Sequence, residues 1–80
     1  MRRFTVLSRN YCHLCDEMIT ALENFQGRFS LAFEVDIVDI DQHPDMEARW
    51  GDKVPVLLDA DEQEICHYFL DEGALHRVLV

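Results

Sequence analysis

Two cysteines, Cys12 and Cys15, stand near the start of the chain with two residues between them. The apolar, partly β-branched run at 4–8 predicts a buried strand before them. From Leu14 onward apolar side chains recur at helical spacing, so both cysteines are expected in the first turn of a helix. The helix dipole and the unpaired amides there favour a thiolate, which is the reactive form of cysteine. The sequence therefore predicts thiol chemistry at this pair.

The spacing of the two cysteines suits a two-step exchange of disulfides. Cys12 opens the helix and is expected to be the more exposed thiol, so it is the predicted nucleophile that forms a mixed disulfide with a substrate. Cys15 lies one helical turn further on, within bridging distance, and is the predicted resolving cysteine. The alternative is a half-buried pair without a chemical role.

Composition narrows the classes of protein to which the chain can belong. Eighty residues predict one domain over 1–80, and the net charge of −9 disfavours nucleic acid and anionic membranes as partners. We find no apolar segment of membrane-spanning length and no signal-peptide core. We therefore expect a cytoplasmic protein, where structural disulfides are rare and three cysteines, an odd number, suit a redox or metal role.

The first half of the chain predicts alternating strands and helices. A first helix is expected over residues 12–25, with its end near Gly27. Alternating apolar residues predict a mostly buried second strand over 29–40. A second helix should begin at Pro44 and end at Gly51.

The second half predicts a hairpin and a final helix. A third strand is expected over 54–58, with Pro55 at its start, and a fourth over 64–67. Asp71 is placed to cap a last helix. The resulting order, β-α-β-α-β-β-α, implies one parallel pair of strands followed by an antiparallel hairpin, in an α/β domain.

These features together resemble the glutaredoxin branch of the thioredoxin superfamily and, within it, short glutaredoxin-like proteins. The resemblance rests on the segment Cys12-His13-Leu14-Cys15, on the segment Lys53-Val54-Pro55-Val56 and on the element order, and it covers nearly the whole chain. It implies a thioredoxin-like, three-layer α/β/α fold with a four-stranded mixed sheet, and a dithiol–disulfide oxidoreductase. It also implies a cis bond at Pro55 facing the cysteines, and a Val54 backbone that pairs with an extended substrate.

Three further candidates for the substrate site flank the cysteines. Arg9 stands where similar glutaredoxins carry a lysine, and it could place a cation near the sulfur or hold a carboxylate; a solvated loop arginine is the alternative. His13, if protonated, would stabilise the thiolate of Cys12, or else it is an exposed spacer. Tyr11 would line a groove or pack on the start of the helix.

The chain departs from the glutaredoxin pattern at Cys66 and His67. In glutaredoxins a Gly-Gly pair, followed by an aspartate, holds the tail of glutathione; here Cys66-His67 take that place and Asp71 is displaced. Close approach of a ligand to the backbone is easiest at glycine, so ordinary glutathione binding is disfavoured. We expect a monomer without a bound cofactor that acts on a protein or small-molecule disulfide. Glutathione or a thioredoxin-type reductase is the candidate electron donor.

Two alternatives from other classes remain open. If the fourth strand ends near the cysteine pair, a zinc site could form from Cys12, Cys15, Cys66 and His67, and Cys12 could bind an iron–sulfur cluster between two subunits. Against the metal, Cys66 fits a buried strand position, because free cysteine packs as a small hydrophobe. The second alternative is a redox-inert interaction domain that keeps the fold.

Overall fold

Four strands form one mixed sheet in the computed structural model, which describes residues 2–80. The elements are β1 (Arg2–Ser8), α1 (His13–Phe29), β2 (Phe33–Asp39), a short 3₁₀ helix (Ile40–Gln42), α2 (Pro44–Trp50), β3 (Val56–Leu58), β4 (Glu64–His67) and α3 (Glu72–Leu79). The strand order is β2-β1-β3-β4, with β1 and β2 parallel and the other two pairs antiparallel. The predicted element order, parallel pair and hairpin are confirmed. None of the helices in residues 2–80 has the length and hydropathy that crossing a membrane requires.

The central strands β1 and β3 are buried on both faces, which produces three layers. Neighbouring residues of a strand point to opposite faces, so Val6 and Leu7 enter different apolar clusters. The cluster on the α1 and α3 face contains Phe4, Val6, Met18, Leu22, Phe25, Phe33, Leu57, Cys66 and Leu75. The cluster on the α2 face contains Leu7, Ile40, Trp50, Val56 and Leu58. Helices therefore cover both faces of the sheet, as the predicted α/β/α layering requires.

The first helix is longer than the sequence predicts. It passes through Gly27 and ends at Phe29, and Ser30 then takes a left-handed backbone conformation with φ 52°. Phe29, which is 46% exposed, lies one turn beyond Phe25, with the two ring centroids 4.7 Å apart. The helix thus ends two residues beyond Gly27, because a single glycine in a helix costs only about 0.5–1 kcal/mol relative to alanine.

The second strand is shorter and more exposed than predicted. It begins at Phe33 and not at residue 29, because Phe29 belongs to the last turn of α1 and Leu31 lies in the segment that connects the helix to the strand. Phe33 is buried, Val35 is half-buried, and Ile37 is 56% exposed. The prediction of a mostly buried strand was wrong because β2 lies at an edge of the sheet.

The ends of the remaining elements follow the predicted capping signals. Pro44 stands in the first turn of α2, and Gly51 follows its last residue. Asp71 caps α3, its Oδ1 accepting from the backbone N–H of Ala74 at 3.0 Å. The third strand begins at Val56, directly after Pro55, and so starts two residues later than predicted.

Candidate active site

The register of the sheet brings three separate loops to the same end of the molecule. Leu7 of β1 pairs with Val56 of β3, and Val56 pairs with His67 of β4. Because these strands alternate in direction, the segment leaving β1, the segment entering β3 and the segment leaving β4 lie side by side. Residues 9–12, 54–55 and 68–69 therefore adjoin one another.

The two cysteines are joined by a disulfide at this end of the sheet, with their Cα atoms 5.2 Å apart. Cys12 is half-buried and is the N-cap of α1, whereas Cys15 is fully buried in the first turn. The backbone N–H of Cys15 donates to Sγ of Cys12 at 3.2 Å. A donor aimed at that sulfur favours the thiolate over the thiol once the disulfide is reduced. The predicted difference in exposure between the two cysteines is confirmed.

The residues on either side of Cys12 are both turned to solvent. The side chain of His13 is 90% exposed, with its Nε2 3.7 Å from Oε1 of Glu17, one turn along α1. Tyr11 is fully exposed and has a positive φ of 59°. Of the two alternatives for Tyr11, packing on the start of the helix does not occur, because the side chain is fully exposed. An exposed aromatic ring therefore stands directly before the candidate nucleophile.

Arg9 is held by the second helix. Its Nη2 donates to Oε2 of Glu47 at 2.5 Å and to the backbone carbonyl of Gly51 at 3.1 Å. The guanidinium thus ties the end of β1 to the C-terminal end of α2, so Arg9 is not a freely solvated loop arginine. Glu47 and Gly51 were missed as its partners because helical periodicity carries no information about ion pairs between distant segments.

The segment before β3 is fixed by one residue that the sequence did not single out. The peptide bond between Val54 and Pro55 is cis, which confirms what the resemblance implied. The backbone N–H of Tyr68 donates to the carbonyl of Pro55 at 2.8 Å, and its hydroxyl donates to the carbonyl of Asp52, also at 2.8 Å. Within residues 2–80, the N–H and C=O groups of Val54 have no hydrogen-bond partner. A positive φ at a tyrosine leaves no sequence signal, since glycine is the residue usually found there.

Cys66 is a core residue and not part of a binding surface. It is 9% exposed and packs in the cluster under α1 and α3. Burial raises the pKa of its thiol; a hydrogen bond from the backbone of Asp71 opposes this shift, and the carboxylates of Asp71 and Glu64 raise the pKa further. The burial expected for Cys66 as a strand residue that packs like a small hydrophobe is confirmed, and because this position of β4 faces inward its side chain is not placed to contact a substrate.

His67 lies at the edge of the candidate site, where its Nδ1 is 2.7 Å from Oε2 of Glu64. Its ring meets that of Tyr68 edge-on, with the centroids 4.7 Å apart. Tyr68 has a left-handed backbone conformation, with φ 65°, of the kind that favours glycine. It lies one residue beyond Cys66-His67, which were predicted to take the place of the Gly-Gly pair of glutaredoxins.

The ligand set proposed for zinc is not assembled. Across residues 2–80, no three side chains of His, Cys, Asp or Glu are grouped so that they could hold a metal ion. Cys66 is directed into the core, while Cys12 lies at the surface end of α1.

Comparison with known proteins agrees with this geometry. The family described as Glutaredoxin-like domain (DUF836) matches residues 3–80. A solution NMR structure of a protein from Nitrosomonas europaea has a TM-score of 0.88 and 36% identity, and the match covers 99% of this chain and 92% of that one. An X-ray structure of a protein from X. campestris has a TM-score of 0.70 and 33% identity, covering 95% and 93% of the two chains.

A more distant likeness identifies the fold. Thioredoxin 1 from Thermosipho africanus has a TM-score of 0.61 at 18% identity, covering 96% of this chain and 93% of that one. The predicted thioredoxin-like fold is therefore confirmed. No curated protein matches the chain significantly.

Proposed function

Because the chain belongs to the Glutaredoxin-like domain family, we propose that it is a thiol–disulfide oxidoreductase acting through Cys12 and Cys15. The observation that carries the proposal is the hydrogen bond from the Cys15 N–H to Sγ of Cys12. This contact gives the accessible Sγ of Cys12 a donor that favours its thiolate form. Sγ of Cys15 is close enough to bond to Sγ of Cys12, since the two form a disulfide in the structure.

The proposed reaction transfers two electrons from the reduced pair to a substrate disulfide. The Cys12 thiolate attacks one substrate sulfur; the substrate S–S bond breaks, a mixed disulfide forms, and the departing thiolate takes up a proton. The Cys15 thiol then loses its proton and its Sγ attacks Sγ of Cys12. The mixed disulfide breaks, the Cys12–Cys15 disulfide forms, and the second substrate thiolate leaves and is protonated.

Regeneration of the reduced pair requires a thiol donor that carries the same two electrons. In this proposal the donor is a thioredoxin-type reductase or two molecules of a small thiol such as glutathione, which become oxidised in turn. A reducing compartment such as the cytoplasm would supply either one.

The surrounding residues are assigned roles that fit their contacts. The free N–H and C=O groups of Val54 are proposed to pair with an extended substrate segment next to Pro55, in the manner of an added strand. Arg9 is proposed to hold the loop before Cys12, because its hydrogen bonds run to α2. His13 is proposed to act as an exposed spacer paired with Glu17.

A redox titration tests the proposal directly. The protein is equilibrated in thiol–disulfide buffers, quenched by alkylation, and the Cys12–Cys15 disulfide is quantified by mass spectrometry. We expect a reversible two-electron transition between about −120 and −270 mV, the range of working oxidoreductases. A pair that never closes would exclude the reaction and favour the redox-inert interaction domain.

A further inference from the structure

Tyr68 holds the segment around Val54 from both sides. Its N–H binds the carbonyl of Pro55 and its hydroxyl binds the carbonyl of Asp52, each at 2.8 Å. Val54 lies between these two anchors and keeps both of its backbone groups free of partners in the described chain. One residue therefore fixes, through its backbone N–H and its hydroxyl, the segment to which an extended polypeptide could add.

The turn at Tyr68 also lacks the bare glycine backbone that a small tripeptide such as glutathione could approach closely. Tyr68 has φ 65°, a conformation that glycine adopts without strain, yet it carries a phenol that reaches across to Asp52. Phe69 follows it and is 67% exposed. Together with the exposed ring of Tyr11 before Cys12, the site offers aromatic surface on two of its three loops.

The charges at this end of the sheet also disfavour an anionic substrate. Of the cations near the site, Arg9 is bound to Glu47, and Nζ of Lys53 lies over the indole of Trp50, 5.8 Å from the ring centroid. The net charge of the chain is −9. Glutathione disulfide, which carries several carboxylates, would meet a chain of net negative charge in which the guanidinium of Arg9 is already paired with a carboxylate.

We propose that the substrate is a protein disulfide on an extended, non-acidic polypeptide segment and not glutathione disulfide, with Tyr68 as the positioning residue. This inference rests on the oxidoreductase function proposed above. The substrate backbone pairs with Val54, its side chains contact the aromatic rings of Tyr11 and Phe69, and lysine or arginine near its cysteine is attracted by the acidic surface.

Steady-state reduction of three disulfides, with dithiothreitol as the electron donor and the uncatalysed rate subtracted, tests the inference. The substrates are glutathione disulfide, a dimeric peptide with lysine and leucine beside its cysteine, and the same peptide with glutamate in place of lysine. For the wild type we expect kcat/KM to be highest for the lysine peptide. Tyr68→Phe should raise its KM by about threefold to tenfold, the loss expected for one hydrogen bond, and leave kcat unchanged.

Two further variants separate recognition from stability. Tyr68→Gly should lower kcat/KM for the lysine peptide and raise it for glutathione disulfide, which general destabilisation cannot do. Phe69→Ala should raise KM for the peptide, whereas Phe29→Ala, an exposed aromatic at the far end of α1, should leave it unchanged.

The outcomes distinguish the two proposals. If the pair cycles in the redox titration but the wild type prefers glutathione disulfide, or Tyr68→Phe leaves KM unaltered, the substrate inference is wrong and the oxidoreductase function stands. If the wild type reduces none of the disulfides and the pair does not cycle, both are overturned.

Discussion

Sγ of Cys12 lies 3.2 Å from the backbone nitrogen of Cys15 and accepts its N–H. One sulfur atom is therefore both the cap of α1 and the proposed nucleophile. Serine is among the preferred N-cap residues, so the cap and the reaction can be separated by mutation at a single position.

The roles of the two cysteines predict different mutant phenotypes. Cys12→Ser should abolish disulfide exchange, because no thiolate remains to attack. Cys15→Ser should retain the first step and accumulate mixed disulfides with substrate, visible as mass adducts on non-reducing analysis. Equal loss of activity without trapped adducts would contradict the assignment of nucleophile and resolving cysteine.

The capping contact predicts a stability difference that does not depend on catalysis. Cys12→Ser and Cys12→Ala both remove the disulfide and the thiol, but only serine restores an acceptor for the Cys15 N–H. We expect the alanine variant to be less stable by about 1 kcal/mol, as for other N-cap losses, in urea unfolding. Equal unfolding midpoints would show that the sulfur contributes nothing as a cap.

The buried thiol of Cys66 predicts slow modification and a characteristic dependence of stability on pH. Burial raises its pKa above the ordinary value of 9.0, so native reduced protein should be alkylated at Cys12 before Cys66. Cys66→Ser should leave exchange largely intact. Loss of exchange in this variant would place Cys66 in the active site.

The sign of the pH effect follows from which state ionises first. Well below pH 9.0 the thiol is protonated in both states; as the pH rises through this value the unfolded chain loses the proton before the folded one does. The free energy of unfolding should therefore fall as the pH rises through this range. When both proteins are measured in the oxidised form, the fall in unfolding free energy with pH should be smaller in Cys66→Ala than in the wild type, because the variant lacks only this one titrating group. Parallel curves of unfolding free energy against pH for the two proteins would contradict the raised pKa of Cys66.

Two glycines predict opposite effects of the same substitution. A Cβ at Gly27 would meet nothing within 4 Å, so Gly27→Ala in the interior of α1 should stabilise the protein by about 0.5–1 kcal/mol. A Cβ at Gly51 would lie 2.6 Å from the carbonyl oxygen of Glu47, so Gly51→Ala should destabilise by about 1–3 kcal/mol and loosen the Arg9 contact. Urea unfolding measures the stability of both variants, and a change of stability in the same direction for the two would contradict this prediction.

The order of the elements could be predicted because each has a local signal. Pro44 and Gly51 frame α2, Asp71 caps α3, and the apolar runs at 4–8 and 56–58 become the two central strands. The C-x-x-C pair and the proline before β3 likewise predicted where the candidate site would form.

The remaining features depend on neighbours that are distant along the chain. The alternation at 29–40 predicts a strand but cannot show that β2 lies at the sheet edge or that Phe29 belongs to the helix. The hydrogen bond from Tyr68 to Asp52 and the pairing of Arg9 with Glu47 exist only once the sheet is assembled. Periodicity and capping signals act over a few residues, so these partners lie outside their range.

The capping sulfur of Cys12 couples the redox reaction to the folding equilibrium through a closed thermodynamic cycle. Reduction and unfolding can be carried out in either order, and both routes have the same total free energy. Any difference in unfolding free energy between the oxidised and reduced forms must therefore equal the change that folding makes to the free energy of reducing the pair, which is proportional to the shift in its two-electron reduction potential. Calorimetric unfolding of the oxidised and the reduced protein thus measures, without any substrate, how far folding shifts the pair toward or away from its reduced, electron-donating form.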